Sequence, residues 1–194
     1  MSNPFVTFDP PLSGPPRLDP TDVSYVVEDL DVGRMLLAVR DDGRVVTSAY
    51  VPDDEAEERW LQRLADVVSP RVLRHPGPTD AVRRALAAYL AGRSREVDVP
   101  VDLALARSFQ REVLTTLRAR VGYGERTTYA ALASASGHTG AARAVGSALG
   151  GNPLCVVLPC HRVLPASGGL GGYAGGPAAK EHLLGLEAAH ATHP

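Results

Sequence analysis

The sequence is poor in cysteine, in aromatic residues and in long apolar runs. Its 194 residues include two cysteines, Cys155 and Cys160, and 5% aromatic residues. So few cysteines exclude a disulfide-rich secreted scaffold, and no stretch reaches the roughly 20 apolar residues that span a membrane. The first residues also lack a basic and apolar leader. The sequence therefore predicts a cytoplasmic protein with no membrane partner.

An excess of positive charge is missing as well, since the formal net charge is -2. The deficit is uneven along the chain. Residues 1–100 hold 12 arginines against 17 acidic residues, whereas residues 101–194 hold 8 basic residues against 5 acidic ones. Such asymmetry is expected when one half of a protein faces a polyanion, and ordinary surface variation also produces it.

The strongest chemical signal is the stretch at residues 152–163. An apolar run at 154–158 predicts a strand, and Pro159 ends it because proline cannot donate to a sheet ladder. Cys160 then lies on a turn beside His161 and Arg162, which lower a thiol pKa and favour the nucleophilic thiolate. Cys155, inside the predicted strand, is expected to be a small buried apolar residue.

A metal site is the alternative use of these side chains. Cys155, Cys160 and His161 would need a fourth ligand and the short paired spacings that zinc sites show. Residues 1–100 contain one histidine, His75, and no cysteine, so they cannot assemble a four-ligand zinc site. The sequence predicts no metal and no cofactor.

The first hundred residues predict an irregular arm followed by a small α/β module. Six prolines punctuate residues 1–22, which favours an arm without regular structure. Residues 23–100 predict a short antiparallel sheet with strands at 23–27, 35–39 and 45–51, joined by hairpin turns. Helices are predicted at 53–68 and 78–90, the second ending at Gly92.

Residues 101–190 predict a mainly helical domain with a helix-turn-helix and the short strand at 154–158. Helices are expected at 107–121, 127–136, 139–149 and 180–187, with threonine caps on the middle two and a loose tail from His190. The pair at 127–149 is joined through Gly137, and most such pairs only pack. The second helix carries small residues and one charge, Arg143, so its backbone can approach a narrow groove closely.

Six glycines surround Tyr173 in residues 167–176. This composition is typical of a flexible loop, but after a nucleophile it also suits backbone amides and an aromatic ring that contact a flat ligand.

The motif Pro159-Cys160-His161-Arg162-Val163, preceded by Asn152-Pro153, resembles the active-site sequence of the O6-alkylguanine-DNA alkyltransferases, or methylated-DNA–protein-cysteine methyltransferases. Further matches in the same order extend the resemblance over about residues 109–187. They include Phe109-Gln110, Tyr123-Gly124-Glu125, Tyr129, Ala141 to Gly146, Ser167-Gly168, Gly172 to Gly176, Lys180 and Glu187.

The resemblance implies a DNA repair protein that flips O6-alkylguanine, with O4-alkylthymine as a second candidate, and transfers the alkyl group irreversibly to Cys160 in a single turnover. It implies catalytic roles for Cys160, for His161 as base, for Glu187, which orients His161, and for Tyr129, which assists the leaving guanine. It implies minor-groove contacts from Arg143, Tyr129, Ala141, Ala142 and Gly146, and a substrate pocket formed by Val163, Tyr173, Ala174 and Asn152. A monomer associated with the nucleoid when bound to double-stranded DNA is expected.

Two other classes of protein remain compatible with these residues. A thiol hydrolase would use Cys160, His161 and Glu187 but would turn over repeatedly and would not need Arg143. A non-catalytic lesion sensor would keep Arg143 and Tyr129 without needing a nucleophile.

Overall fold

The computed structural model describes residues 23–190, and the N-terminal part is built on a four-stranded sheet. Its strands are β1 (Val23–Leu30), β2 (Gly33–Arg40), β3 (Val45–Tyr50) and β4 (Val72–Arg74), in the spatial order β3-β2-β1-β4. The first three form the predicted antiparallel hairpins, while β4 pairs with β1 in parallel. Three residues are too few to show a strand pattern, so β4 was not predicted.

Both faces of this sheet are buried, which explains the continuous apolar run of β2. Leu36 and Ala38 pack with Leu64 of helix α1 (Asp54–Val67), and Leu37 on the opposite face shares a core with Leu86 of α2 (Asp80–Leu90). Alternate residues of a strand point to opposite faces, so helices on both sides leave no polar face. Asp53 begins α1 as a cap, because its side chain accepts from the Ala56 amide at 2.7 Å.

The C-terminal part is mainly helical, and the predicted fold class is confirmed. Two short parallel strands, β5 (Thr127–Thr128) and β6 (Val163–Leu164), accompany a 3₁₀ turn at Cys160–Arg162. The helices are α3 (Ser108–Arg120), α4 (Tyr129–Ala135), α5 (Ala142–Gly150) and α6 (Gly176–His190).

Two predicted helix boundaries are wrong. Helix α5 begins at Ala142 without a side-chain cap, so Thr139 does not cap it. Helix α6 is longer than expected and includes His190, whose Nδ1 donates to the Leu186 carbonyl at 2.9 Å. The His190 ring lies against Gly92, where a Cβ atom would come within 2.5 Å of it. The expected arm at 1–22 and the rest of the tail, 191–194, lie outside the described residues.

One hydrophobic core joins the two parts of the chain. It contains Met35, Leu37 and Tyr89 from the N-terminal part together with Leu117 and Leu158 from the C-terminal part. The domain boundary between residues 100 and 101 stays a prediction. Within residues 23–190, no helix has the length and apolar character needed to cross a membrane.

Candidate active site

The predicted strand at 154–158 is wrong, because this stretch is a tight turn. Leu154, Cys155 and Leu158 make only isolated bridges, and the Leu158 amide donates to the Leu154 carbonyl at 2.7 Å. Val156 has a φ of 70°, in the left-handed region that a β-branched residue rarely adopts. The apolar run reflects complete burial rather than extended backbone, and hydrophobicity alone cannot separate the two.

Asn152 holds this turn and the thiol together. Its Oδ1 accepts from the Leu154 amide at 2.9 Å, while its Nδ2 donates to the Leu158 carbonyl and to Sγ of Cys160, both at 3.1 Å. Asn152 is buried and does not line the cavity into which Cys160 opens. It therefore positions the nucleophile and does not form part of the substrate pocket in which the sequence had placed it.

Strand β3 fixes the same turn from the N-terminal part of the chain. The Ser48 hydroxyl donates to the Cys155 carbonyl at 2.8 Å, and the Ser48 amide donates to the Pro153 carbonyl at 2.8 Å. The Thr47 hydroxyl adds a bond to the Pro153 carbonyl at 3.2 Å. The position of the nucleophile therefore depends on β3 as well as on its own neighbours.

The pKa of Cys160 is lowered from its ordinary value, which favours the thiolate. The largest cause is a hydrogen bond from the Cys155 side chain; burial opposes it, and the Asn152 amide and the charge of Lys180 reinforce it. The same hydrogen bond, with burial, raises the pKa of Cys155, which stays a protonated donor. Cys155 is buried as predicted, and its thiol donates to the carbonyl of Asn152 at 3.5 Å, the residue that also donates to Cys160.

Lys180 is an unexpected charge in this interior. It is 0% exposed, and its Nζ donates to the Val163 carbonyl at 2.7 Å. Burial lowers the pKa of Lys180, and the charge of Cys160 opposes that shift. Val163 is expected from the sequence to line the substrate pocket, but its side chain is buried. Its carbonyl oxygen already accepts one hydrogen bond, from Lys180.

His161 is fully buried and points one ring nitrogen at a carboxylate. Its Nε2 lies 3.0 Å from Oε1 of Glu187. Burial lowers the pKa of His161, so the ring is neutral at neutral pH. A carboxylate only accepts hydrogen bonds, so Nε2 carries the proton and Nδ1 keeps a lone pair. Nδ1 has no hydrogen-bond partner within residues 23–190 and is free to act as a base.

Glu187 is the centre of a buried network that the sequence did not reveal in full. Arg162 donates to it from Nε at 2.9 Å and from Nη2 at 2.8 Å, and the Tyr89 hydroxyl donates at 2.6 Å. Burial alone would raise the pKa of Glu187, but hydrogen bonds from His161, Arg162 and Tyr89 lower it to about 2. The carboxylate is thus ionised and balances the charge of Arg162.

Cys160 opens into a cavity of about 400 Å³ between the helix pair and the glycine-rich loop. The cavity is lined by Tyr129, Gly146, Leu149, Gly150, Cys160, Gly172, Tyr173 and Ala174. Four of the predicted site residues, Tyr129, Gly146, Tyr173 and Ala174, therefore meet the thiol. Burial and the charge of Cys160 raise the pKa of Tyr129 and of Tyr173, so both hydroxyls remain protonated donors.

Tyr50 of β3 contacts Tyr173, which lines the pocket, and the sequence did not reveal this role of Tyr50. Its hydroxyl lies 3.4 Å from the Tyr173 hydroxyl, and the two rings meet edge to face at 5.5 Å. A Cβ atom at Gly175 would lie 2.5 Å from the Tyr50 ring, so only glycine allows this approach. The loop that carries Tyr173 therefore packs against strand β3 of the N-terminal sheet.

The helix pair α4 and α5 forms the outer wall of the pocket. Thr128 caps α4 as predicted, since its hydroxyl accepts from the Ala131 amide at 3.1 Å, and Gly137 follows the helix with a φ of 80°. Arg143 is exposed, and Ala141 and Ala142 are half-buried at the start of α5. Within residues 23–190, no group of three His, Cys, Asp or Glu side chains is placed to hold a metal.

A buried thiol with a lowered pKa lies beside a helix-turn-helix, an arrangement that suits the class of proteins with a cysteine nucleophile next to a DNA-binding helix pair. A family model described as 6-O-methylguanine DNA methyltransferase, DNA binding domain, matches residues 108–189. The methylated-DNA–protein-cysteine methyltransferase of Mycolicibacterium paratuberculosis is 40% identical over 172 residues, which cover 87% of this chain and 94% of that protein. The human protein of the same name is 50% identical over 80 residues, 41% of this chain and 39% of its own length.

Solved structures give the same result. The O6-methylguanine methyltransferase of Mycobacterium tuberculosis has a TM-score of 0.74 at 34% identity, covering 89% of this chain and 96% of its own. The Mycobacterium tuberculosis OGT in complex with DNA has a TM-score of 0.72 at 33% identity, covering 86% and 94%. The chain belongs to the methylated-DNA–protein-cysteine methyltransferase family.

Proposed function

We propose that this protein repairs DNA by transferring an alkyl group from O6 of guanine to Sγ of Cys160. The observation that carries the proposal is the thiol itself: its pKa is lowered, and it opens into a cavity walled by Tyr129, Tyr173 and the helix-turn-helix. O4-alkylthymine is the second candidate substrate. Membership of the family supports this activity.

Transfer begins when the Cys160 proton passes to Nδ1 of His161 through one water, because Nδ1 makes no direct hydrogen bond to Sγ. Glu187 stabilises the imidazolium that forms, because its carboxylate is ionised and 3.0 Å from Nε2. Sγ then attacks the alkyl carbon, the bond from that carbon to O6 breaks, and its electron pair stays on the guanine. Tyr129 donates its proton to the leaving guanine, and the imidazolium of His161 then returns the former thiol proton to the Tyr129 oxygen through water, so the net proton moves from the thiol to the leaving base.

The products are a thioether on Cys160 and an unmodified guanine. A thioether is a poor leaving group, and nothing in this scheme regenerates the thiol. The protein therefore acts once per molecule, and no cofactor takes part because the alkyl group arrives with the substrate.

The DNA contact is assigned to the minor groove and to the exposed face of α5. Ala141, Ala142 and Gly146 let the helix backbone approach the duplex closely, and exposed Arg143 fills the space that the extruded nucleotide leaves. The base then enters the cavity beside Tyr173 and Ala174. The second lone pair of the Val163 carbonyl remains for the base amine, since Lys180 binds the first. The protein is proposed to act as a monomer on DNA of the nucleoid.

Labelling tests the proposal. The protein is incubated with a duplex that carries a radiolabelled methyl group on guanine O6, and the label is followed to the peptide that contains Cys160. One label per chain, without release, is expected. Methanol released over repeated turnovers would indicate a hydrolase, and tight binding without labelling would indicate a lesion sensor.

A further inference from the structure

A second cavity, of about 800 Å³, lies against α5 but away from Cys160. Its walls come from α1, from residues 104–107, from the start of α3 and from α5. We refer to it as the arginine groove, because Arg63 and Arg107 are its charged lining residues. The reaction scheme above makes no use of it.

The arginine groove and the active-site pocket flank the exposed face of α5 on opposite sides. Gly146, Leu149 and Gly150 line the pocket, whereas Ala144, Ser147 and Ala148 line the groove. Successive helix residues are rotated by roughly 100°, which puts these two sets on either side of the direction in which Arg143 points. A duplex that receives α5 in its minor groove has one backbone on each side of the helix.

The electrostatics of the groove favour an anion. Arg63 donates to the Leu105 carbonyl at 2.7 Å and lies over the Trp60 ring at 4.9 Å, so its guanidinium is held in place. Burial first, and the charge of Arg107 second, lower the pKa of Arg63. None of the residues that line the groove is acidic. Arg107 is also the cap residue of α3, whose first turn has no acidic residue to offset the positive helix end.

Acidic residues set the outer limit of this surface. Glu55, Glu58 and Asp66 of α1 line a neighbouring cavity, which also includes Arg59 and shares Arg63 and Val67 with the groove. A phosphate backbone is therefore attracted to the side of Arg63 that faces α5 and repelled beyond it.

We propose that the arginine groove binds phosphates of the strand opposite the one whose base is extruded, with Arg63 and Arg107 as the contacts. This inference rests on the proposed function, since it requires α5 to enter the minor groove. The pocket receives a base from one strand on one flank of α5, so the other strand passes over the groove on the other flank. The apolar lining, including Phe109, suits the deoxyribose between phosphates. The N-terminal part of the chain thus contributes a DNA contact through α1.

Charge reversal at Arg107 tests the groove, because Arg107 is exposed and its loss leaves the core intact. Arg120→Glu is the matched control, since it makes the same change at the exposed far end of α3. Duplex affinity is measured by fluorescence anisotropy between about 50 and 200 mM salt. Arg107→Glu should weaken binding by about tenfold or more at low salt, and Arg107→Ala should reduce the salt slope by about 1. Reaction with free O6-benzylguanine reports whether each variant is folded.

Neutral methylphosphonate linkages then identify the strand. Placed in the strand opposite the lesion, they should weaken binding of the unmodified protein and have little further effect on Arg107→Ala. Placed in the lesion strand, they should weaken both proteins equally. Arg63→Lys should keep most of the affinity and Arg63→Gln should lose it.

The inference is overturned if Arg107→Glu binds like Arg120→Glu, or if opposite-strand methylphosphonates have no effect. Its failure differs from failure of the proposed function. If only the groove is wrong, the unmodified protein still takes one label from duplex DNA and Arg143→Ala still weakens repair. If the proposed function is wrong, the unmodified protein takes no label from any duplex.

Discussion

The two parts of the described chain serve the site in different ways. The C-terminal part carries the groups assigned to the reaction, Cys160, His161 and Tyr129, whereas the N-terminal part holds them in place. Tyr89 of α2 donates to Glu187 at 2.6 Å, and Ser48 of β3 donates to the Cys155 carbonyl at 2.8 Å. Residues that belong to no chemical motif can therefore set the geometry of a nucleophile and the charge of the network beside it.

Loss of the nucleophile should have the largest effect. Cys160→Ser should abolish alkyl transfer, because a serine hydroxyl has a far higher pKa than a thiol. Duplex affinity should stay within several-fold of the unmodified protein, which anisotropy measures alongside labelling. Transfer by Cys160→Ser at the normal rate would contradict the assignment of Cys160 as the nucleophile.

Arg143→Ala should come next, as it removes the side chain assigned to base extrusion. Extrusion of a nucleotide requires a few kcal/mol, so repair of duplex DNA should fall by about a hundredfold. Reaction with free O6-benzylguanine, which needs no extrusion, should fall far less. Equal losses on both substrates would place Arg143 in folding or in the chemistry instead.

Tyr89→Phe tests the N-terminal part directly. The change deletes the hydroxyl that donates to Glu187 and leaves the ring in the core. Transfer should slow by about tenfold, the effect of losing one hydrogen bond to a charged group, with duplex affinity unchanged. Tyr123→Phe is the control, since that hydroxyl makes only a 3.5 Å contact with the Leu186 carbonyl. Identical transfer rates for both variants would show that the hydrogen bond from Tyr89 to Glu187 does not contribute to the reaction.

Cys155→Ala should give the smallest effect, and it should depend on pH. The Cys155 side chain lowers the pKa of Cys160, so its removal raises that pKa and reduces the thiolate fraction at neutral pH. Reaction with the free base should therefore slow by a few fold at neutral pH, and the two proteins should converge above both pKa values. A pH–rate profile from roughly pH 6 to pH 10 brackets the ordinary cysteine pKa. A uniform loss at every pH would point to packing alone.

Much of the C-terminal part could be predicted because its chemistry and its periodicity are local. Phe109, Val113 and Leu117 recur at helical spacing, and Cys160 stands beside His161 and a proline. These signals predicted α3, the helix pair and the thiol on a turn. The roles of Arg143 and Glu187 came from family resemblance, and they remain proposals.

The rest could not be predicted because it depends on contacts between distant residues. Tyr89 occupies an apolar position of α2, so its pattern is that of a core residue and does not reveal a partner 98 residues away. Lys180 would ordinarily be exposed, and only the folded chain shows it buried beneath Val163. The left-handed Val156 is fixed by Asn152 and Ser48, whereas its own propensity favours a strand.

Because Glu187 and Lys180 lie on α6, the environment of the Cys160 thiol depends on a helix that is synthesised after it. A ribosome releases Cys160 before Glu187 and Lys180, because synthesis proceeds from the N-terminus. Until α6 docks, His161 has no carboxylate to orient it, Arg162 lacks its counter-ion, and Cys160 lacks the nearby ammonium of Lys180. We expect a nascent chain halted before α6 to hold a thiol with a higher pKa and a slower reaction than the full chain, which a thiol-alkylation titration of the truncated chain measures. Helix α6, which is made after the nucleophile, would then activate the thiol, so that a protein proposed to react only once does not react before it has folded.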